Sequence, residues 1–213
     1  MKRAALLTAT IVIGLAIDQF VPHGQVATNI LVWLVYLQLL RAGEPPARLQ
    51  LVACLVISGL GECFLSLLWG LYDYRLGNVP LFVPPGHSLL FLLGTDLVPR
   101  LADSVTRWVP IAALPLVVAG AVTGADHLSL ALFALLLLCL RFGHQPKLYA
   151  VMFVLALMLE LLGTWLGNWT WRAADPWGGL PIANPPLAAG AFYCVLDLLV
   201  LGTQRAVARK AAI

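Results

Sequence analysis

The chain has 213 residues, of which 61% are hydrophobic and 11% charged, with a formal net charge of +3. Its mean hydropathy is +0.92, and a soluble domain carries about 25% charged residues, roughly twice the share found here. Composition therefore excludes an ordinary soluble globule, and so slight a positive excess is no signature of nucleic-acid binding.

Apolar runs long enough to cross a ~30 Å hydrocarbon core recur at about 4–20, 26–40, 49–72, 84–98, 108–123, 127–141, 148–166 and 187–204. The first follows Met1-Lys2-Arg3 in the manner of a secretory signal, but no small-x-small cleavage site precedes Asp18, so it is read as a helix. The expected fold is an all-α integral membrane protein of eight transmembrane helices. With the N-terminus in the cytoplasm, eleven of the 13 Lys and Arg fall inside, from Lys2 and Arg3 to Arg209 and Lys210. Only Arg75 and Arg172 fall outside. The positive-inside rule thus predicts a multi-pass protein of the cell membrane with both termini cytoplasmic. Cys54, Cys63, Cys139 and Cys194 lie within these runs at scattered spacing, which gives neither a disulfide framework nor a metal site and suits small apolar packers.

The third run ends in "WGLYDYRLGNVPLFVPPGH" (residues 69–87), and the seventh is followed by "LGNWTWRAADPWGGLPIANPP" (residues 166–186). Gly70, Tyr72 and Tyr74 align with Gly167, Trp169 and Trp171 at an offset of 97, while Pro80, Pro84 and Pro85 align with Pro181, Pro185 and Pro186 at 101. Phe91 and Asp96 meet Phe192 and Asp197 at that second offset. Upstream, Arg41-x-Gly43 matches Arg141-x-Gly143, and Glu62-x-x-x-Ser66 matches Glu160-x-x-x-Thr164. The predicted organisation is a repeat of four helices, residues 1–99 and 100–213. Because four is even, both copies enter the membrane in one direction, as a parallel repeat.

The repeat makes a pair of Glu62 and Glu160. Ionisable groups within a span cost a few kcal/mol or more and usually face a bundle interior or cavity. Glu62 shares a helical face with Ser58, Ser66, Trp69 and Asp73; Thr164, Gly167 and Trp171 take the matching places around Glu160. Glu62 precedes Tyr72 by ten residues, about 15 Å of helix at 1.5 Å per residue, which sets each carboxyl well below its aromatic loop. Either the carboxyls belong to a functional cavity, or they are protonated helix-packing residues. The aromatics Trp69, Tyr72, Tyr74, Trp165, Trp169, Trp171 and Trp177 form a headgroup-level belt or line a chamber for an extended apolar or cationic group.

Asp73, Asn168 and Asn184 are candidate polar contacts to such a ligand, Asn184 otherwise stabilising its turn. Asp96, near Arg100, suits a solvated place; Asp197 is deeper and either serves the cavity or does not. His87 aligns with Ala188, so a structural role is expected of it. HExxH, GxSxG, P-loop and GxGxxG patterns are lacking, as is any Cys/His cluster at metal-ligand spacing, so neither cofactor nor metal is implied.

Glu62 followed by "WGLYDYRLGNVPLFVP" resembles membrane carotenoid hydratases, in which an intramembrane Glu precedes Gly-x-Tyr-x-Tyr, Leu-Gly and Val-Pro. Gly167, Trp169, Trp171, Trp177, Gly179, Pro181 and Asn184 fill the later Trp-x-Trp…aromatic-x-Gly-x-Pro-x-x-Asn segment of that family. The spacing from Glu62 to Gly70 is shorter than in the family, and proline pairs replace bulky residues after each loop. The likeness is therefore that of a sister family. It implies acid chemistry on an isoprenoid double bond, with Glu62 as general acid and Glu160 as partner or water-orienting base. The aromatic clusters would then stabilise a carbocation. Two other readings stay open: a proton-coupled carrier of a small or amphipathic solute with the same carboxyls as protonation sites, and a non-catalytic lipid-binding membrane protein.

Overall fold

The computed structural model describes residues 2–211; Met1, Ala212 and Ile213, which the two predicted units include, lie outside it. The described chain is helical: α1 (Lys2–Phe20), α2 (Gly24–Ala42), α3 (Pro45–Glu62), α4 (Val83–Leu97), α5 (Val105–Val122), α6 (Leu128–Phe142), α7 (Pro146–Leu166) and α8 (Gly190–Ala211). Six helical segments are long and apolar enough to cross a membrane; α6, at 15 residues, is apolar but shorter. The boundaries follow local chemistry. Prolines open α3, α4 and α7 at the first turn, where a missing N–H leaves no bond unmade.

The third predicted run does not continue to residue 72. At Glu62 the α-helix gives way to a π-helical turn, Cys63–Leu68, closed by the Trp69 N–H donating to the Phe64 carbonyl five residues back. The chain then reverses at Gly70, whose φ of 73° favours glycine. Gly167, with φ 82°, does the same after α7. Each reversal leads into a three-residue strand, β1 (Tyr72–Tyr74) and β2 (Trp169–Trp171). The two pair antiparallel, Tyr72 opposite Trp171, Asp73 opposite Thr170 and Tyr74 opposite Trp169. The aromatic loops of the sequence are thus one small sheet. Alternation turns the four aromatic residues inward, while Asp73 and Thr170 point out.

α4 and α7 occupy the middle. Ten of the fifteen α4 residues are buried, including the run Leu89–Leu93. α4 packs on α1, α2, α3 and α7, and α7 packs on α5, α6 and α8 as well. α3 meets α8 along a second seam between the two halves of the chain. The periphery is apolar: Ile30, Leu34, Leu60, Leu67 and Val122 are each more than half exposed. That is an inverted surface for water and a suitable one for hydrocarbon. All four cysteines are free, three of them buried, in keeping with packing roles.

Candidate functional site

The sheet forms a roof, and the two glutamates lie directly beneath it. The Tyr72 and Tyr74 hydroxyls both donate to Glu62 Oε2, each at 2.6 Å. On the other side, the Trp169 and Trp171 indoles both donate to Glu160 Oε2, at 2.8 and 3.0 Å. The rings pack across the sheet, with centroids 4.7 Å apart for Tyr72 and Trp171 and 6.1 Å for Tyr74 and Trp169. Glu62 and Glu160 are 7% and 6% exposed. The helical-rise estimate of about 15 Å between Glu62 and Tyr72 fails because Gly70 turns the strand back down onto the carboxyl.

Each carboxylate keeps its second oxygen for a different partner. His87 Nε2 is 2.8 Å from Glu62 Oε1, whereas the Tyr193 hydroxyl approaches Glu160 Oε1 only to 3.4 Å. The His87 and Tyr193 rings face one another at 4.9 Å. Sequence alignment sets His87 aside because position 188 is alanine, yet the structure seats it on Glu62. Its partner Tyr193 aligns with Leu92, so this contact joins two residues that have no counterpart in the other half. A histidine one turn into α4, after Pro84-Pro85, was the available signal.

Two spaces adjoin the carboxyls. One, of about 60 Å³, lies among α1, α2, α4 and α7 and includes Thr28, Tyr74 and Trp169 in its wall. The other, of about 400 Å³, is bounded by α3, its π turn, α6 and α8 and is walled chiefly by apolar side chains. Glu62, Tyr72, His87, Glu160 and Tyr193 line both. Phe64 and Leu199, which line the larger space, are also 39% and 47% exposed on the apolar outer surface, so it opens onto that surface. Among the described residues lining either space there is no lysine or arginine.

The remaining candidates divide. Trp69 lines the larger space and stacks on Trp177 at 4.9 Å, its indole donating to Asp175 Oδ1. Burial works against charge on Asp175, but that indole and the Trp177 and Gly178 backbone N–H groups outweigh it and hold the carboxyl below its usual range. Asn184 Oδ1 accepts the Trp171 backbone N–H at 3.0 Å and so fixes β2 rather than reaching the cavity. Asn168 is buried but donates to Asp18 Oδ2 at 2.7 Å and to the Leu15 carbonyl, not to either glutamate. Asp73 points outward and pairs with Arg172 at 3.2 Å.

Trp165 stands apart. It is 80% exposed, because five residues beyond Glu160 is about 140° around the helix, at 100° per residue. Asp96 pairs with Arg3 near the surface, as its sequence position suggests. Asp197 is fully buried, and among the described residues neither of its oxygens has a partner. Sequence reasoning also passed over Asp18, which anchors the roof to α1 through Asn168 and through Arg75, whose Nη2 donates to the Asp18 carbonyl at 2.6 Å.

Comparison with protein-family models, curated proteins and solved structures returns no match to this chain. The likeness to carotenoid hydratases therefore rests on the motifs quoted above.

Proposed function

We propose that this is an integral membrane enzyme that protonates a double bond of a neutral, isoprenoid-type lipid. The observation that carries the reading is the pair of buried carboxyls beneath four aromatic donors, at the wall of an apolar space open toward hydrocarbon. A substrate drawn from the bilayer needs such a side opening. Two carboxyls with no lysine or arginine among the described lining residues favour a neutral chain over a phosphorylated one, because an anionic headgroup would be repelled and left without a partner.

The donor inventory favours a different division of roles from the one the sequence suggests. Glu62 is met by three donors, two phenols and an imidazole, and hydrogen bonds to the charged form favour that form. Glu160 has both firm donors on Oε2 and only the Tyr193 hydroxyl, at 3.4 Å, on Oε1. The acid is therefore Glu160, and Glu62 supplies the counter-charge. A cation formed next to Glu160 would lie within the aromatic lining that includes Tyr72, Trp169, Trp171 and Tyr193, residue types that stabilise positive charge by cation–π contact.

The same reading includes eight crossings with both termini cytoplasmic, built as a parallel repeat of four helices with an axis along the membrane normal. It is supported by the strand register, in which Asp73 faces Thr170, its own aligned equivalent, as an axis through the sheet requires. The seams agree, since α3 packs on α8 as α7 packs on α4. The first helices agree in part, α1 packing on α2 as α5 packs on α6. But α1 also packs on α4, whose counterpart would be α5 on α8, and α5 packs on α7, whose counterpart would be α1 on α3.

The test is deuterium transfer. Protein in phosphatidylcholine liposomes containing squalene, a neutral polyprene, is incubated in D₂O and the lipid is weighed by mass spectrometry. Wild type is expected to introduce deuterium, and Glu160→Gln to lower the rate by about 10²–10⁴-fold, the usual worth of a general acid. Equal rates in the two would end the proposal.

A further inference from the structure

In the acid step His87 serves only as a donor to Glu62, through one of its two ring nitrogens. Its Nε2 meets Glu62 Oε1 at 2.8 Å, while its Nδ1 is buried with no hydrogen-bond partner among the described residues. The residue is 8% exposed and lines both spaces. Glu62 Oε2 already receives the Tyr72 and Tyr74 hydroxyl protons, so the carboxylate presents Oε1 as an acceptor, and the imidazole must donate from Nε2. In the neutral ring that bond sets the tautomer, with the proton on Nε2 and a bare lone pair on Nδ1. The opposite arrangement, Glu62 donating to Nε2, would bury an Nδ1–H donor that has no acceptor, which is the costlier state.

We infer that His87 is the general base of this site, removing through Nδ1 the proton that completes the reaction, with Glu62 as its positioning residue. The inference rests on the acid-initiated chemistry proposed above. A carboxylate fixed by two phenols and bonded to one imidazole nitrogen, with the other nitrogen unpartnered on a residue that lines both spaces, is the arrangement by which a carboxylate–histidine pair orients a base and stabilises the imidazolium.

The steps balance without any redox partner. The alkene π pair takes the proton from Glu160, giving a carbocation and the Glu160 carboxylate. Either a carbon next to the cation, or a water that has added to it, then loses a proton to Nδ1, and the neutral product forms. The His87 imidazolium returns that proton to the Glu160 carboxylate through water in the shared space, and both groups are reset. Only the first half of the chain carries this base, since Ala188 stands at the aligned place. Acid and base are thereby assigned to different carboxyls.

Two measurements on the full chain in phosphatidylcholine bilayers test it. In ¹⁵N-histidine-labelled protein, solid-state NMR should show His87, identified by its loss in His87→Gln, with Nε2 protonated and Nδ1 bare. In the squalene–D₂O assay, His87→Gln should lower deuterium incorporation by about 10²–10⁴-fold, with its thermal unfolding midpoint in detergent checking the fold. A protonated Nδ1 overturns the inference, as does wild-type exchange in a folded His87→Gln protein whose rate still collapses in Glu160→Gln. Exchange that is absent from wild type itself strikes instead at the acid chemistry underneath.

Discussion

The two carboxyls are held in the same way by different means. Glu62 is ten residues from the first aromatic that grips it and Glu160 is nine. The first half absorbs its extra residue in the π turn Cys63–Leu68, whose wider i→i+5 bonding takes one more residue per turn. The second half keeps a regular helix and makes room with Gly163, where an added Cβ would come within 2.0 Å of the Trp169 ring. One half grips with phenols, which can exchange protons; the other grips with indoles, which only donate. Equal geometry with unequal chemistry is what a site needs if one carboxyl is to hold a proton while its neighbour stays charged.

The largest effect that would break this comparison is at the glycines. Gly163→Ala drives a methyl into three atoms of the Trp169 ring at 2.0–2.5 Å. It should destabilise the protein by about 3 kcal/mol, the upper part of the overpacking range, and pull the indole off Glu160. Gly61, next to Glu62, has open space where its Cβ would go. Gly61→Ala should be neutral or stabilising by about 0.5 kcal/mol, through the gain in helix propensity. Thermal unfolding midpoints in detergent measure both, and similar midpoints for the two variants would refute the idea that only the second half depends on a backbone gap.

A smaller contrast compares phenols. Tyr72→Phe removes a 2.6 Å hydrogen bond to Glu62, and such bonds to charged groups are worth about 1.5–3 kcal/mol. Tyr193→Phe makes the same chemical change at 3.4 Å from Glu160 and should cost under about 0.5 kcal/mol, the low end for a neutral bond. Comparable losses would mean that Glu160 is charged and gripped as firmly as Glu62, and the division of roles would fall with them.

Much of the helical frame is legible in the sequence, because a long apolar run bounded by proline or glycine has few alternatives. The span expected at 84–98 is helix Val83–Leu97, and the one at 148–166 is Pro146–Leu166. The pairing of Glu62 with Glu160 is also visible, through the offset of the motifs around them. The roof is not. Three-residue strands carry too little periodicity to be distinguished from a loop, and the partner of β1 lies almost a hundred residues away. Local reasoning also groups Trp165 with Trp169 and Trp171, since nothing in the sequence marks where helical phase ends and strand alternation begins. His87 stands aside from the sequence repeat because it lacks a counterpart, which is the very feature that makes the two half-sites unequal. Contacts such as His87 with Tyr193 arise from how α4 and α8 pack, and no spacing rule reaches that far.

The smallest expected effect concerns the rim of the larger space, where the halves meet through Trp69 and the loop around Asp175. Asp175 takes the Trp69 indole, the Trp177 N–H at 3.1 Å and the Gly178 N–H at 2.7 Å. Burial opposes its charge, but these donors hold the carboxyl below its ordinary range. A lowered folded-state value means that the unfolded chain binds its proton first as the pH falls. The stabilisation is therefore complete above the unfolded value, about 3.9, and is lost as the pH drops through the lower folded one. Asp175→Asn should unfold at a lower temperature than wild type at neutral pH, with the gap closing in acid. The stacked Trp69–Trp177 pair gives a local readout through its near-ultraviolet circular dichroism, which should fade over the same window. A gap that stays constant from neutral pH into acid would show that the carboxylate charge does not hold this rim, and that the indole stack closes it by packing alone.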